Sequence, residues 1–359
     1  MVKSLKIFSP EAILKSTFFK KILLIFLCIS VAAGLAACGE GEQKQSQLFS
    51  MGTTFTLMAY GPRADAGIKS AEQTIIAVDA LTDPEVDTST CYAINHAQGS
   101  QLNISGQVAE MLIDAKEIYE KSDGAYDLTI YPVVKRWGFT DGRYYVPSDE
   151  EIAEDLARKC MDQLNIASFP NSGTYAVSLP SYGELDFSSC ARGCASKYAI
   201  DAMRKNGITS AIVSLSGNVQ TLGLKPDGTE WKIGIVDSKN VSTYLGTISV
   251  GETAIVTTGA YQNYMTGSTK YHHIFNTKSG YPTSNGLASV TVICEDGTVA
   301  DCLSTALYAM GQTKALNYWR ANGGFDMIII TDSGEIVCTA GLLEKFDVKN
   351  DYYTLSYVE

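Results

Sequence analysis

Residues suited to acid–base chemistry and cation binding lie close together between positions 271 and 311. Two of the three histidines in the chain, His272 and His273, stand side by side at the start of this stretch. Asp301 and Thr305 follow, four residues apart, and in a helix this spacing puts both side-chain oxygens on one face. Hard oxygen ligands one turn apart suit Mg²⁺. The stretch therefore predicts a base and a cation site near one another.

A strand and a helix are predicted to carry these groups. Residues 288–294 alternate as a half-buried strand does, and Glu-Asp-Gly at 295–297 is typical of the turn that ends it. A helix should follow, with Asp301 at its start and Gly311 as its C-terminal cap. Ordinary structural roles are the alternative: Asp301 as a helix cap, Thr305 as a residue bonded to the preceding turn, and the histidines as one surface and one core imidazole.

The whole stretch resembles the C-terminal signature of the ApbE-type flavin transferases, which attach FMN from FAD to another protein. That signature has H-H-I, a G-x-P turn, a strand and A-D-x-x-x-T; the matching residues here are 272–274, 280–282 and 300–305. The resemblance implies an α+β fold, a single domain of mixed strands and helices with a flavin cleft between its two halves. The site residues it implies in this stretch are His273 as the catalytic base, Ile274 as a flavin contact, and Asp301 and Thr305 as metal ligands.

The choice of base also has a physical argument. A threonine hydroxyl is a poor nucleophile at neutral pH, and histidine has a pKa suited to taking its proton. His96 lies in a predicted loop outside every matching block, and His272 would point to the opposite face from His273 in an extended chain. His273 is therefore the predicted general base, the alternative being a histidine that only bonds the flavin or orders the turn.

Two earlier blocks match the family in the same order. Met-Gly-Thr at 51–53 resembles an opening M-G-T that lines the flavin pocket, within a predicted strand over residues 48–60. Residues 126–139 are close to F-D-x-T-x-x-P-L-x-x-x-W-G-F. Aromatic rings could stack on a flavin or adenine and a glycine would let a ligand approach, although a core turn with buried aromatics is the alternative. The flavin contacts implied are Met51, Trp137, Gly138 and Phe139.

Two further blocks suggest contacts to phosphate and metal. Residues 185–195, read as a short strand turning into a helix that runs to Lys205, resemble L-D-x-G-G-x-A-K-G-x-A. An arginine replaces the usual lysine and the glycine pair is missing, which leaves the local backbone open. Leu-Ser-Gly-Asn at 215–218 resembles L-G-G-N, a glycine turn that can aim N–H groups at phosphate. The residues implied are Asp186, Arg192, Ser216, Gly217 and Asn218 for FAD, and Ser189, through a backbone or side-chain oxygen, for the metal.

The N-terminal residues are typical of a bacterial lipoprotein. Five lysines accompany an apolar run at 22–33 that is too short for a comfortable membrane span, and Leu-Ala-Ala-Cys ends at Cys38. We expect a signal peptide at 1–37, a lipid on Cys38, a polar tether at 38–48 and a transferase domain at 49–359. An uncleaved anchor helix is the alternative. Lipidation would place the protein on the outer face of the cytoplasmic membrane.

Charge and cysteine content limit the function classes. The formal net charge is −11, and residues 1–37 hold five lysines and one glutamate, so the remainder carries −15. Such a surface makes nucleic acid and anionic lipid poor partners. Beyond the signal and Cys38 the cysteines are scattered, which indicates free thiols rather than a disulfide framework.

Together these features predict a Mg²⁺-dependent transferase that uses FAD as substrate, moves FMN to a threonine or serine of an acceptor protein and releases AMP. The expected acceptor is a membrane-associated electron-transfer subunit, modified in trans. Two alternatives stay open: a pyrophosphatase that hydrolyses FAD to FMN and AMP, and a lipoprotein that binds FAD without catalysis.

Overall fold

The computed structural model describes residues 42–169, 173–215, 217–260, 263–266 and 269–359. The expected signal peptide, Cys38 and Ser216 lie outside the described residues. Within those ranges, no helix combines the length and the apolar character that crossing a membrane requires.

A large mixed sheet is the centre of the fold. In the described part of the chain it has nine strands in the order β1-β2-β6-β7-β10-β13-β14-β15-β17, and neighbours are antiparallel except β15 and β17. The strands are β1 (Gln43–Ser50), β2 (Thr53–Tyr60), β6 (Ala211–Leu215), β7 (Asn218–Leu222), β10 (Ala254–Gly259), β13 (Leu287–Cys294), β14 (Asp326–Thr331), β15 (Glu335–Thr339) and β17 (Thr354–Val358).

Three small sheets accompany the large one among the described residues, in the orders β16-β9-β8, β3-β5-β4 and β11-β12. Their strands are β3 (Leu102–Ile104), β4 (Asn165–Phe169), β5 (Thr174–Ser178), β8 (Trp231–Asp237), β9 (Asn240–Val250), β11 (Asn263–Thr266), β12 (Thr269–His272) and β16 (Phe346–Val348).

Helices connect and cover these strands. They are α1 (Ala64–Thr82), α2 (Thr90–Asn95), α3 (Gly106–Lys121), α4 (Tyr131–Arg136), α5 (Asp149–Leu156), α6 (Ala191–Lys205), α7 (Gly297–Met310) and α8 (Gln312–Asn322), with short 3₁₀ turns at Leu128–Ile130, Met161–Gln163 and Ala340–Leu342. The α+β class expected from the sequence is confirmed.

Both faces of the large sheet are buried. Successive side chains of a strand point to opposite faces, so a strand can contribute to two cores. On β2, Leu57 joins the main core beneath α1, α6 and α7, whereas Met58 joins a second core shared with β8 and β9. The same division holds on β6 and β14. β13 is therefore buried along nearly its whole length, and the expectation of a half-buried strand at 288–294 is wrong.

The predicted strand over 48–60 is a hairpin instead. Met51 and Gly52 both adopt positive φ, 49° and 69°, and form the two-residue turn between β1 and β2. Asp79 of α1 holds this turn, because one carboxylate oxygen accepts from Ser50 Oγ at 2.5 Å and from Met51 N at 3.0 Å. The expected tether at 38–48 is also too long, since residues 43–48 belong to β1, an edge strand whose polar side chains face water.

The helix that carries Asp301 begins earlier than expected. Asp296 is its N-cap, accepting from the N–H groups of Thr298 (2.8 Å) and Val299 (3.1 Å), so α7 starts at Gly297. Asp301 therefore lies in the second turn of the helix, and its interpretation as a cap is wrong. Gly311 ends the helix at φ 78°, as expected.

Other elements agree with the sequence in most cases. The expected helices at 64–81 and 108–122 and the helix running to Lys205 are confirmed, as are the strand at 211–215 and the final hairpin. Two differences stand out. Residues 185–187 are irregular rather than a strand, and α2 forms within the loop expected at 82–100, capped by Ser89 Oγ, which accepts from Tyr92 N at 2.9 Å.

The first turns of α6 and α7 cross at backbone contact. A Cβ on Gly193 would lie 2.1 Å from the carbonyl oxygen of Gly297, so only glycine fits at this crossing. The close approach lets Gly193 N donate to Asp301 Oδ2 at 2.8 Å. The helix crossing therefore fixes the carboxylate of Asp301 against the N-terminal turn of α6.

Gly193→Ala is expected to lower the free energy of unfolding by about 1–3 kcal/mol, because the added methyl group must push two helix backbones apart. Urea unfolding followed by circular dichroism measures the change. Gly106→Ala is the matched control, since Gly106 also lies in a first helical turn but a Cβ there meets no atom within 4 Å. Equal stability of the two variants would contradict the crossing.

Candidate active site

Asp301 is the most confined acid of the site. Its side chain is 5% exposed, and burial raises its pKa to about 6, against the opposing effects of the Arg192 charge and the Gly193 N–H. A desolvated carboxylate is stabilised in its ionised form by a nearby cation. Asp301 is thus prepared electrostatically for a cation ligand rather than for solvent.

Thr305 lies one turn after Asp301 and is half-buried. Its hydroxyl is 3.3 Å from that of Thr258 on β10. The back-bond to the preceding turn that we considered for Thr305 is made by its neighbour, because Ser304 Oγ donates to the carbonyl of Asp301 at 3.0 Å. The spacing therefore leaves Thr305 on the face of α7 that also carries Asp301.

Ser189 stands just before α6 and is half-buried. Its hydroxyl oxygen is 2.9 Å from the phenol oxygen of Tyr126. Tyr126 also interacts with the side chain of Cys302, the residue after Asp301. Tyr126 thus connects Ser189 with the residue that follows Asp301 on α7.

Arg192 acts on two acids at once. Its charge lowers the pKa of both Asp301 and Asp186, although burial, the larger effect, raises the pKa of each. The half-buried Asp186 carboxylate accepts from Ser188 N at 3.1 Å and from the Ser188 hydroxyl. The guanidinium therefore lies within electrostatic reach of both the acid expected at the metal and the acid expected at FAD.

Asn95 is a residue that sequence reasoning missed. Its amide nitrogen donates to the carbonyl of Leu185 at 2.9 Å, and its amide oxygen accepts from Leu185 N at 2.8 Å. Both backbone groups of the residue before Asp186 are held in this way, so Asn95 fixes the irregular segment that presents Asp186. The two residues are 90 positions apart, and no local pattern indicates their pairing.

The turn between β6 and β7 supplies further polar groups. Gly217 is exposed, and its carbonyl accepts from Thr257 N at 2.7 Å. Asn218 is buried; its Oδ1 accepts from Ser196 Oγ at 2.8 Å, while its Nδ2 has no hydrogen-bond partner within the described ranges. A buried donor without a protein partner is costly unless a ligand satisfies it. The Nδ2 of Asn218 is therefore suited to a ligand contact, and the predicted role in FAD binding stays a prediction.

The aromatic block at 137–139 corrects one expectation, the stacking of a ligand on Trp137, while the contacts predicted for Gly138 and Phe139 stay predictions. Trp137 is 0% exposed and donates from Nε1 to the carbonyl of Gly280 at 3.0 Å, so it is a core residue and offers no ring face to a ligand. Position 138 requires glycine for a structural reason: its φ is 78°, and a Cβ there would lie 2.4 Å from the carbonyl oxygen of Arg143. Phe139 packs edge-on against Phe275, with ring centroids 5.5 Å apart, and is half-buried rather than openly displayed.

Neighbouring histidines have different environments. His272 is buried, its Nε2 lies 2.8 Å from the carbonyl of Thr283, and its Nδ1 accepts from Ile274 N at 3.2 Å. Burial lowers its pKa, so it is a neutral structural residue. His273 is exposed, with its ring 6.3 Å from that of Phe139. The expectation that the two point to opposite faces is confirmed.

Ile274 and Met51 contribute mainly to packing. The Ile274 side chain is 4% exposed within the main core, so its expected flavin contact is wrong for the side chain. Met51 is half-buried in the hairpin turn and packs on the same core.

The histidine pair meets α7 well beyond Asp301. The His272 ring lies edge-on to Tyr308, with centroids 5.9 Å apart. Tyr308 follows Asp301 by seven residues, which corresponds to about 10 Å along a helix. The histidine segment therefore packs against the C-terminal part of α7.

The donor set fits Mg²⁺. Within the described residues, no group of three His, Cys, Asp or Glu side chains is placed to hold a metal ion, so this site offers one carboxylate with the hydroxyl groups of Thr305 and Ser189. Mg²⁺ commonly takes one or two carboxylates and completes its octahedron with water and substrate phosphates. These residues would hold Mg²⁺ only together with water and a phosphate-bearing substrate.

Comparisons with known proteins find relatives over most of the chain. A FAD:protein FMN transferase of Klebsiella pneumoniae is 31% identical over 251 residues, 69% of this chain and 76% of that protein. A FAD:protein FMN transferase of Treponema pallidum is 25% identical over 352 residues, 92% of this chain and 97% of that protein. The apo crystal structure of Pseudomonas stutzeri flavinyl transferase ApbE has a TM-score of 0.74 and 27% identity, covering 88% of this chain and all of that one.

The sequence profile of the ApbE family matches residues 51–329, well over half of the chain. The matched region begins at the β1–β2 turn and ends within β14, so it contains every part of the site described above. This chain belongs to the ApbE family.

Proposed function

We propose that this protein is a Mg²⁺-dependent FAD:protein FMN transferase, which joins FMN to a serine or threonine hydroxyl of an acceptor protein and releases AMP. The observation that carries the proposal is the buried carboxylate of Asp301, held by Gly193 N at 2.8 Å and within reach of the Arg192 charge. The names of the curated relatives support the same reaction.

The chain's own groups divide the binding of FAD. Asp301, Thr305 and Ser189 would hold Mg²⁺, which when bound supplies charge neutralisation on the transferring phosphoryl group. Arg192 is always charged and would contact the pyrophosphate, with planar geometry unlike that of a lysine. The Asn218 side-chain amide and the backbone turn at Gly217 would contact the dinucleotide. Asn95 keeps Asp186 in place for its FAD contact.

The chemical step is a phosphoryl transfer. The acceptor hydroxyl oxygen forms a bond to the phosphorus of the FMN half, and the bond from that phosphorus to the bridging oxygen breaks, so that AMP leaves with the electron pair. His273 takes the hydroxyl proton. Its exposed position lets an acceptor protein approach, whereas His272 uses both ring nitrogens inside the protein.

The cellular setting is part of the proposal. A lipid on Cys38 would tether the enzyme to the outer face of the cytoplasmic membrane, supported by the lysine-rich start, the apolar run and Leu-Ala-Ala-Cys. A membrane-associated electron-transfer subunit is the acceptor class that such a tether favours. Incubation with FAD, Mg²⁺ and such an acceptor separates transfer, seen as FMN mass on the acceptor, from hydrolysis, seen as free FMN, and from binding alone.

Asp301→Asn is expected to lower FMN transfer by at least about 100-fold, since losing several kcal/mol of charge stabilisation removes two or more powers of ten in rate. Mass spectrometry of the acceptor measures the product. Asp296→Asn is the control, because it alters an acid of the same helix that caps the N-terminus instead of facing the site. Full activity of Asp301→Asn with Mg²⁺ would refute the metal site.

His273→Asn is expected to lower the transfer rate by about 10²–10⁴-fold, the usual contribution of a general base, with FAD affinity unchanged. His272→Asn should lose much less activity and instead lose stability, because it replaces a buried, hydrogen-bonded ring. Single-turnover rates and FAD titration separate the two effects. An equal fall in rate for both variants, or failure of His273→Asn to bind FAD, would remove the catalytic role.

Asn95→Ala is expected to weaken FAD binding about 10-fold, because two hydrogen bonds that fix the backbone before Asp186 are worth about 1–3 kcal/mol together. Asn350→Ala is matched to it: the Asn350 amide also makes two bonds, to Asp237 Oδ2 and from Tyr352 N, each 3.1 Å, outside the site. Flavin fluorescence measures both dissociation constants. The positioning role fails if the two variants bind FAD equally well.

A further inference from the structure

Tyr126 touches both polypeptide segments that carry the candidate cation ligands. Its phenol oxygen is 2.9 Å from Ser189 Oγ, at the entrance to α6. The side chain of Cys302, which follows Asp301 on α7, is a second neighbour of this phenol. Tyr126 is 2% exposed, so solvent does not compete for these contacts. A single buried ring therefore spans the two sides of the site.

Hydrogen bonds hold the backbone around this ring in place. Tyr126 N donates to Ser122 Oγ at 3.2 Å, just beyond the end of α3. The next residue, Asp127, caps the following 3₁₀ turn by accepting from Thr129 N at 2.8 Å. A tyrosine phenol is ordinarily neutral near pH 7, so Tyr126 keeps its hydroxyl proton for hydrogen bonding.

We infer that Tyr126 is a positioning residue that fixes the Ser189 hydroxyl oxygen in the cation site, an inference that rests on the proposed function. An unrestrained serine hydroxyl samples three rotamers, and a bond to a buried, rigid partner selects one of them. A hydroxyl oxygen has two lone pairs. When Tyr126 donates to Ser189 Oγ, one lone pair is used and the other stays available to a hard cation.

The sequence supports a linked role for the two hydroxyl groups. Tyr126 stands where the family motif has phenylalanine, and Ser189 stands at the second glycine of the missing pair. The phenol oxygen and the serine oxygen are therefore both additions relative to that motif, and they contact each other. A pair of this kind predicts that each hydroxyl group has its effect through the other.

A double-mutant cycle with metal binding as the readout tests the inference. Mn²⁺ serves as a spectroscopic substitute for Mg²⁺, and electron paramagnetic resonance counts free Mn²⁺ over the purified full chain with FAD present and no acceptor. Tyr126→Phe is expected to raise the Mn²⁺ dissociation constant about 5-fold, the effect of one hydrogen bond. Ser189→Ala should raise it at least as much, and the double variant should bind like Ser189→Ala alone.

Tyr353→Phe is the matched control for stability. It also removes a buried phenol that makes one hydrogen bond, to Asp237 Oδ1 at 2.6 Å, in another part of the fold. The melting temperature without metal should fall similarly for Tyr126→Phe and Tyr353→Phe. Only Tyr126→Phe should lose Mn²⁺ affinity. Tyr126→Phe with a lower melting temperature and unchanged Mn²⁺ affinity would show a purely structural role and overturn the inference.

Two other results would overturn it. Additive losses in the double variant would mean that Tyr126 does not act through Ser189. Absence of Mn²⁺ binding by the parent protein would remove the site itself. The proposed function is judged separately by FMN mass on an acceptor: a parent protein that binds Mn²⁺ without transferring FMN refutes the function while the cycle still decides the role of Tyr126.

Discussion

The backbone contact between the first turns of α6 and α7 sets the geometry of the candidate site. Because Gly193 lets the helices touch, its N–H reaches Asp301 at 2.8 Å. Arg192 and Ser189 lie at the start of α6, and Thr305 lies one turn along α7. A shift of either helix would therefore separate the Asp301 carboxylate from the Gly193 N–H and from the Arg192 charge.

Burial of Asp301 has an energetic consequence for this arrangement. An ionised carboxylate in a protein interior is costly unless hydrogen bonds and opposite charges compensate it. One backbone N–H and the Arg192 charge compensate only in part, since the pKa of Asp301 stays raised at about 6. A bound cation would relieve the remaining cost, and its affinity would then be coupled to the stability of this helix pair.

Sequence reasoning succeeded where the physical signal is local. The helices at 64–82 and 191–205 have periodic apolar positions, and the strand at 211–215 is a short apolar run, so pattern alone located them. It failed where the environment of a residue depends on a partner far away in the sequence. Trp137 is buried because its indole N–H finds the carbonyl of Gly280, 143 residues away, and the turn at Met51 depends on Asp79 of α1.

The same contrast between local signals and distant partners holds for the candidate site. Spacing placed Asp301 and Thr305 on one helical face, yet it could not tell which acid caps α7, since Asp296 and Asp301 both suit a first turn. Asn95 was missed because its partner, Leu185, contributes only backbone groups, and these leave no signature in the side-chain sequence. A family motif can find such a residue only when the motif includes the supporting contact as well as the ligand.

The adjacent histidines show how one local rule separates structure from chemistry. Extended backbone turns successive side chains to opposite sides, so His272 enters the protein and His273 leaves it. Inside, both nitrogens of His272 are used, one at the carbonyl of Thr283 and one at Ile274 N, and protonation would break the second bond. His272 can therefore order the segment only while it stays neutral, and a proton acceptor at this position has to be the residue that points outward.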